Sequence, residues 1–225
     1  TKKAYKMLPN FEQKTNDIRK DIITMAEFVL SSFDEALQGI EDEDISHFKT
    51  ARDGNLKHLT YMADSVDNNI IVALALYAPE AGELREMIAM LKATNELVRI
   101  ADASKKFSKG MQEIIEAGVD ISDIKQYIME LHTISIKSIK LVIDSFKSFS
   151  LDLYRAIHIE EEKSDEIFGI LQKEILSKTG SEESAVNYIK IIKTIKKHER
   201  VTDHCENIAK LIHYAKEGGK LSTNV

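Results

Sequence analysis

The stretch His198-Glu199-Arg200-Val201-Thr202-Asp203-His204-Cys205-Glu206-Asn207-Ile208 decides the fold, because Asn95-Glu96-Leu97-Val98-Arg99-Ile100-Ala101-Asp102 echoes it about a hundred residues earlier. Glu199 and Asp203 are four residues apart, so on a helix they share one face, one turn apart. Like charges at that spacing cost an isolated helix roughly 0.2–0.5 kcal/mol, a cost that a nearby cation would turn into attraction. The echo implies that the chain is built from two related halves. A period near 100 residues points to duplication of a domain, since solenoid repeats run to roughly 20–50 residues.

Composition supports helices throughout. The chain has 225 residues, enough for a sizeable core, and its only prolines are Pro9 and Pro79. Glycine is sparse, tryptophan is absent, and charged residues make up 30% of the chain, alternating in sign along most segments. A net charge of −6 argues against broad nucleic-acid binding, which needs a basic footprint. The single Cys205 excludes an internal disulfide and a multi-cysteine zinc site, and fits a reducing, cytoplasmic compartment. The longest apolar run, Ile70 to Leu76, is far short of the ~18 residues that a membrane span needs. The chain opens at Thr1 without an initiator methionine, as expected of a trimmed product or a piece of something longer.

Six helices account for the patterning. The first is expected from near Asn10 to Gly39, with Ile18, Ile22, Met25, Ala26, Val29 and Phe33 at helical spacing. Glu41 to Asp44 forms a turn whose carboxylates suit the next helix N-terminus. The second helix runs unbroken to about Tyr77, and Pro79 stands at the first position of the third. Gly118 ends the third, with Asp120 and Ser122 as caps for the fourth. A weak break falls at Ser148-Phe149-Ser150. The fifth helix ends at Thr179-Gly180, with Ser181 capping the sixth, which runs to about Lys216. The expected architecture is all-α: two tandem three-helix bundles related by pseudo-twofold symmetry, over residues 10–118 and 121–217, with flexible ends at 1–9 and 218–225.

The acidic residues repeat with the halves. Asp102 corresponds to Asp203, and Asp64-x-x-Asp67 corresponds to Glu162-x-x-Asp165. Two readings of the acids stand side by side. They are a solvated surface, paired with Arg200 and neighbouring lysines. Alternatively, three or four carboxylates converge from adjacent helices into an oxygen-rich site suited to iron, manganese, magnesium or calcium. Repetition in both halves favours the second. His198 and His204 lie elsewhere on the wheel and are weak ligand candidates. The first site is degraded, since Val98 stands where the second half has Glu199.

On these residues the chain resembles the PhoU family, bacterial negative regulators associated with phosphate uptake. The family's third and sixth helices carry Leu-Glu-Arg-Ile-Gly-Asp-His followed by Asn-Ile. The segment from His198 to Ile208 is similar to it, and Leu97 to Asp102 is similar with the glutamate lost. The stretch from Leu74 to Arg85, with Pro79, resembles the family's turn between second and third helices. The resemblance covers roughly residues 15–217 and implies metal clusters, often iron or zinc, on the acidic motifs. It assigns Glu199 and Asp203, supported by Glu162 and Asp165, as second-half ligands, with Asp102, Asp64 and Asp67 as first-half equivalents. Ala101 and Thr202 stand at the family's glycine position; at Thr202 the larger side chain is expected to hold neighbouring helices slightly further apart.

The resemblance further implies a non-enzymatic regulator of phosphate uptake and signalling. Its partners would be a Pst-type phosphate ABC transporter and a PhoR-type sensor kinase, reached peripherally to the membrane, with a homodimer as a further expectation. A cytoplasmic tail of a sodium/phosphate cotransporter is the close variant, in which Lys2, Lys3 and Lys6 would lie beside the membrane. A di-metal carboxylate enzyme is the competing class. It wants Glu-x-x-His on two helices, which this sequence lacks, so no enzyme is expected.

Overall fold

A computed structural model describes residues 8–177 and 182–218. The described residues form seven α-helices and no strands: α1 (Leu8–Asp42), α2 (Ile45–Asp53), α3 (Leu59–Tyr77), α4 (Ala81–Glu116), α5 (Lys125–Lys147), α6 (Leu151–Ser177) and α7 (Glu182–Glu217). A short 3₁₀ turn, Asn55–His58, joins α2 to α3. In the first half α1, α2, α3 and α4 pack together, and in the second α5, α6 and α7 do. The halves meet where α1 lies against α5 and, more extensively, where α4 lies against α7. The expected ends of the fifth helix at Thr179-Gly180 and the cap at Ser181 fall outside the described residues, as do Lys2, Lys3 and Lys6.

Where the expected second helix ran unbroken, two helices stand. Gly54 closes α2, its N–H bonding the Thr50 carbonyl at 2.9 Å, and a Cβ there would lie 2.7 Å from that oxygen. The break frees helix-end carbonyls, which need other donors when buried. The Ser32 hydroxyl of α1 supplies one, donating to Ala51 O at 2.8 Å.

The other junctions follow their residues. Asp44 caps α2 by accepting from the Ser46 N–H at 2.8 Å. Glu80 caps α4, with Glu83 completing a reciprocal capping box, so Pro79 lies just outside the helix rather than at its first position. Ala78 before it takes a left-handed φ of 44°. After α4, Gly118 at φ 64° and the bonds Gly118 N–H to Ile115 O and Val119 N–H to Ile114 O form a Schellman motif. Asp120 accepts from Ser122 N–H in a turn, and α5 begins only at Lys125. Ser150 accepts from the Leu153 N–H and starts α6.

Helices α4 and α7 run antiparallel. Glu113 pairs with Lys190 at one end, and Glu96 with His204 and Asn207 at the other. Between these ends lie the buried Ala101 and Thr202, the two equivalent motif positions. Gly110 packs so closely on Thr194 that an added Cβ would lie 2.7 Å from its methyl. Two hydrophobic clusters fill the interior, and each draws on both halves. One joins Ile22, Val29 and Leu97 to Ile139 and Cys205; the other joins Ile40 and Phe107 to Leu131, Phe168 and Ile195.

Candidate functional site

Helix α6 reaches its neighbours through the run Glu160-Glu161-Glu162, and each acid has a different fate. Glu160 is 4% exposed and takes Lys137 at 2.8 Å and Lys163 at 2.9 Å. Burial raises its carboxyl, but the two ammonium groups outweigh burial and hold it below the usual range. Glu161 turns toward α7. Glu162 points outward, with its side chain 67% exposed and 3.7 Å from His158 Nε2. Burial of Ile157, Ser164 and Phe168 fixes this rotation of α6.

The acidic face is assembled from His158, Glu161 and Asp165 on α6 and Glu199, Asp203 and Glu206 on α7. His158 Nδ1 lies 2.9 Å from Glu206 Oε1 and 3.8 Å from Glu161 Oε2. One ligand atom from each of these three residues falls within 4.8 Å of the others, the only such trio among the described residues. Burial raises the Glu161 carboxyl, with Asp165, Glu206 and Asp203 adding to it. Burial likewise raises Asp203, helped by Asp165 and Glu206, and raises Glu199, helped by Asp165 and Asp203 against Lys196 and Arg200. Five half-buried or crowded carboxylates therefore repel one another across the α6–α7 seam. Cations from the protein offset part of this charge: Lys210 lies 2.6 Å from Glu206, and Lys196 lies 4.0 Å from Glu199.

Of the residues singled out in the sequence, Glu199, Asp203 and Asp165 come together here. Glu162 does not join them, because Glu161, about 100° further round the helix, takes the inward place. His158, Glu161 and Glu206 were missed. Their signal was present as spacing: His158 and Glu161 are three apart, Glu161 and Asp165 four, and Glu199 and Glu206 seven.

The first half gathers no comparable group among the described residues. Asp64 is exposed on α3, and Asp67 is half-buried, its carboxyl raised by burial and by Asp64. Val98 packs against the core, and Asp102 is exposed at the α4–α7 cleft. Glu96 does a different job, accepting from His204 at 2.6 Å and Asn207 at 3.4 Å across the two halves. Burial raises Glu96, but these partners bring it below the usual range.

His198 points into the core. His132 Nε2 lies 2.7 Å from Phe33 O, His132 Nδ1 lies 2.8 Å from His198 Nε2, and His198 Nδ1 lies 3.1 Å from Ile195 O. Burial lowers His132 to about 4 and His198 well below its ordinary value, so both rings are neutral. Two neutral imidazoles carry two protons for three contacts. The shortest contacts take them: His132 donates to Phe33 O, and His198 donates to His132. The His198 Nδ1 lone pair is left facing Ile195 O. The Phe107 ring packs on both imidazoles. Cys205 is fully buried and its thiol is pushed up by that burial, which makes it inert.

The PhoU domain matches this chain twice, over residues 22–111 and 128–212. A phosphate-specific transport system accessory protein PhoU homolog of Pseudomonas aeruginosa is 24% identical over 211 residues, covering 92% of this chain and 86% of that protein. The accessory protein PhoU of Escherichia coli (strain K12) is 23% identical over 209 residues, with the same coverage. The crystal structure of PhoU from Pseudomonas aeruginosa superposes with a TM-score of 0.86 at 22% identity, over 93% of this chain and 100% of that one. A phosphate transport system regulatory protein PhoU from Streptococcus pneumoniae superposes with a TM-score of 0.84 at 18% identity, over 95% and 99%. Matched in both halves and across most of its length, the chain belongs to the PhoU family.

Proposed function

We propose that this chain is a non-enzymatic, cytoplasmic regulator of phosphate uptake and signalling. It acts by docking on a phosphate transporter of the Pst type, with a PhoR-type sensor kinase as a second partner. Its relatives, matched over 92% of its length, carry the name of accessory proteins of phosphate-specific transport. No described helix is long and apolar enough to cross a membrane.

Within that role the α6–α7 acidic face holds a divalent cation. The observation that carries this reading is the His158, Glu161 and Glu206 trio, to which Asp165, Glu199 and Asp203 couple electrostatically, with the carboxyls of Glu161, Glu199 and Asp203 raised. The donor set fits iron, zinc or manganese, because it joins carboxylate oxygens to one imidazole. A bound cation would replace mutual repulsion with attraction and brace α6 against α7. Asp102, Asp64 and Asp67 would form at most a weaker site, lacking the glutamate that Val98 replaces.

Co-purification of the tagged full chain from native membranes tests the role. A phosphate-transporter subunit is expected in the eluate. Its absence from both phosphate-rich and phosphate-poor cells would overturn the docking reading.

A further inference from the structure

A second cleft lies beside the acidic face, on the seam between α4 and α7. It encloses about 410 Å³ and is lined by Arg99, Asp102, Lys106, Lys197, Arg200 and Asp203, with Ala103 and His204. Arg99 and Arg200 are the equivalent arginines of the two duplicated motifs, so the pseudo-twofold brings both guanidinium groups to one opening. Four cations thus face two carboxylates in a chain whose net charge is −6.

These cations are poorly compensated. Among the described residues, Lys106, Lys197 and Arg200 make no ion pair, and Arg99 has only Glu96 at 3.5 Å. Lys197 is partly buried. Lys106 also lines a second basic hollow of about 530 Å³, where Lys57, Lys105 and Lys109 accompany the Arg52–Asp53 pair.

We propose that the α4–α7 cleft binds a phosphate group, held by Arg200 and Arg99 with Lys197 and Lys106. Guanidinium forks match the oxygens of a tetrahedral dianion, and a concave wall with an excess of positive charge concentrates such an ion. Asp102 and Asp203 set the limit on affinity and favour a ligand whose charge the four cations outnumber. The ligand is therefore small, either inorganic phosphate or the phosphates of a nucleotide.

Titration calorimetry on the full, EDTA-treated chain at low ionic strength tests this, with inorganic phosphate in one arm and ADP in the other. Chelation keeps the result independent of any metal on the acidic face, so this proposal and the metal reading fail separately. Saturable binding is expected in at least one arm, weakened about tenfold or more by Arg200→Gln with Lys197→Gln. Binding of inorganic phosphate assigns the free ion; binding of ADP alone assigns a nucleotide. Circular dichroism checks that the double variant is folded, and Lys106→Gln alone gives a second reading if it is not. No binding of either ligand up to about 5 mM, or binding that the folded variants keep unchanged, would overturn the proposal.

Discussion

At the scale of single residues, the buried His132–His198 pair governs how the protein responds to acid. Each ring is held neutral in the fold and carries the ordinary histidine value near 6.5 when unfolded. The unfolded state therefore binds more protons between pH 6.5 and about 4, and stability falls as the pH drops through that window. His198→Leu places at 198 the residue that the first half carries at the equivalent Leu97. Alone, it leaves His132 Nδ1 without a donor and should cost about 1–3 kcal/mol at pH 7. His132→Leu with His198→Leu should cost less than either single change and flatten the acid-side loss, as urea unfolding at pH 7 and pH 5 would show. This pair was not legible in the sequence, because nothing local links residue 132 to residue 198. The Glu199–Asp203 pair was legible, being a spacing within one helix. The choice of Glu161 over Glu162 was not, since it depends on how α6 is rotated by Ile157, Ser164 and Phe168.

At the scale of elements, the α4–α7 pair carries the architecture, and Gly110 lies in close contact with Thr194. Thr194 is β-branched, almost fully buried and bonded through its hydroxyl to Lys190 O, so it has little room to move. Gly110→Ala should destabilise the protein by about 1–3 kcal/mol through overpacking, despite alanine's better helix propensity. Thr194→Ala in the same chain should recover most of that loss, as thermal unfolding of the single and double variants would show. The helix count was nearly readable from punctuation: Gly118 and Ser150 stop and start helices where their types demand. The division of the second helix was less visible. Asp53-Gly54-Asn55 is its local mark, and the Ser32 hydroxyl that donates to Ala51 O at the break comes from α1.

At the scale of the whole molecule, duplication set the helix order and the pseudo-twofold, both legible from the two motifs. It did not tell how the interior is shared. Both hydrophobic clusters mix residues of the two halves, so neither half buries its apolar faces alone. Urea unfolding should accordingly be one cooperative transition, with far-ultraviolet circular dichroism and tyrosine fluorescence superimposing; two separated transitions would mean independent halves. The shared interior also fixes α6 against α7, which is what crowds the acids. The most direct test of that crowding is anomalous scattering from crystals of protein purified without chelator. The account predicts a metal peak between α6 and α7 among Glu161, Asp165, Glu199, Asp203 and Glu206, absent in folded Glu199→Ala with Asp203→Ala. No peak in the unaltered protein, or one that survives in the double variant, would contradict it.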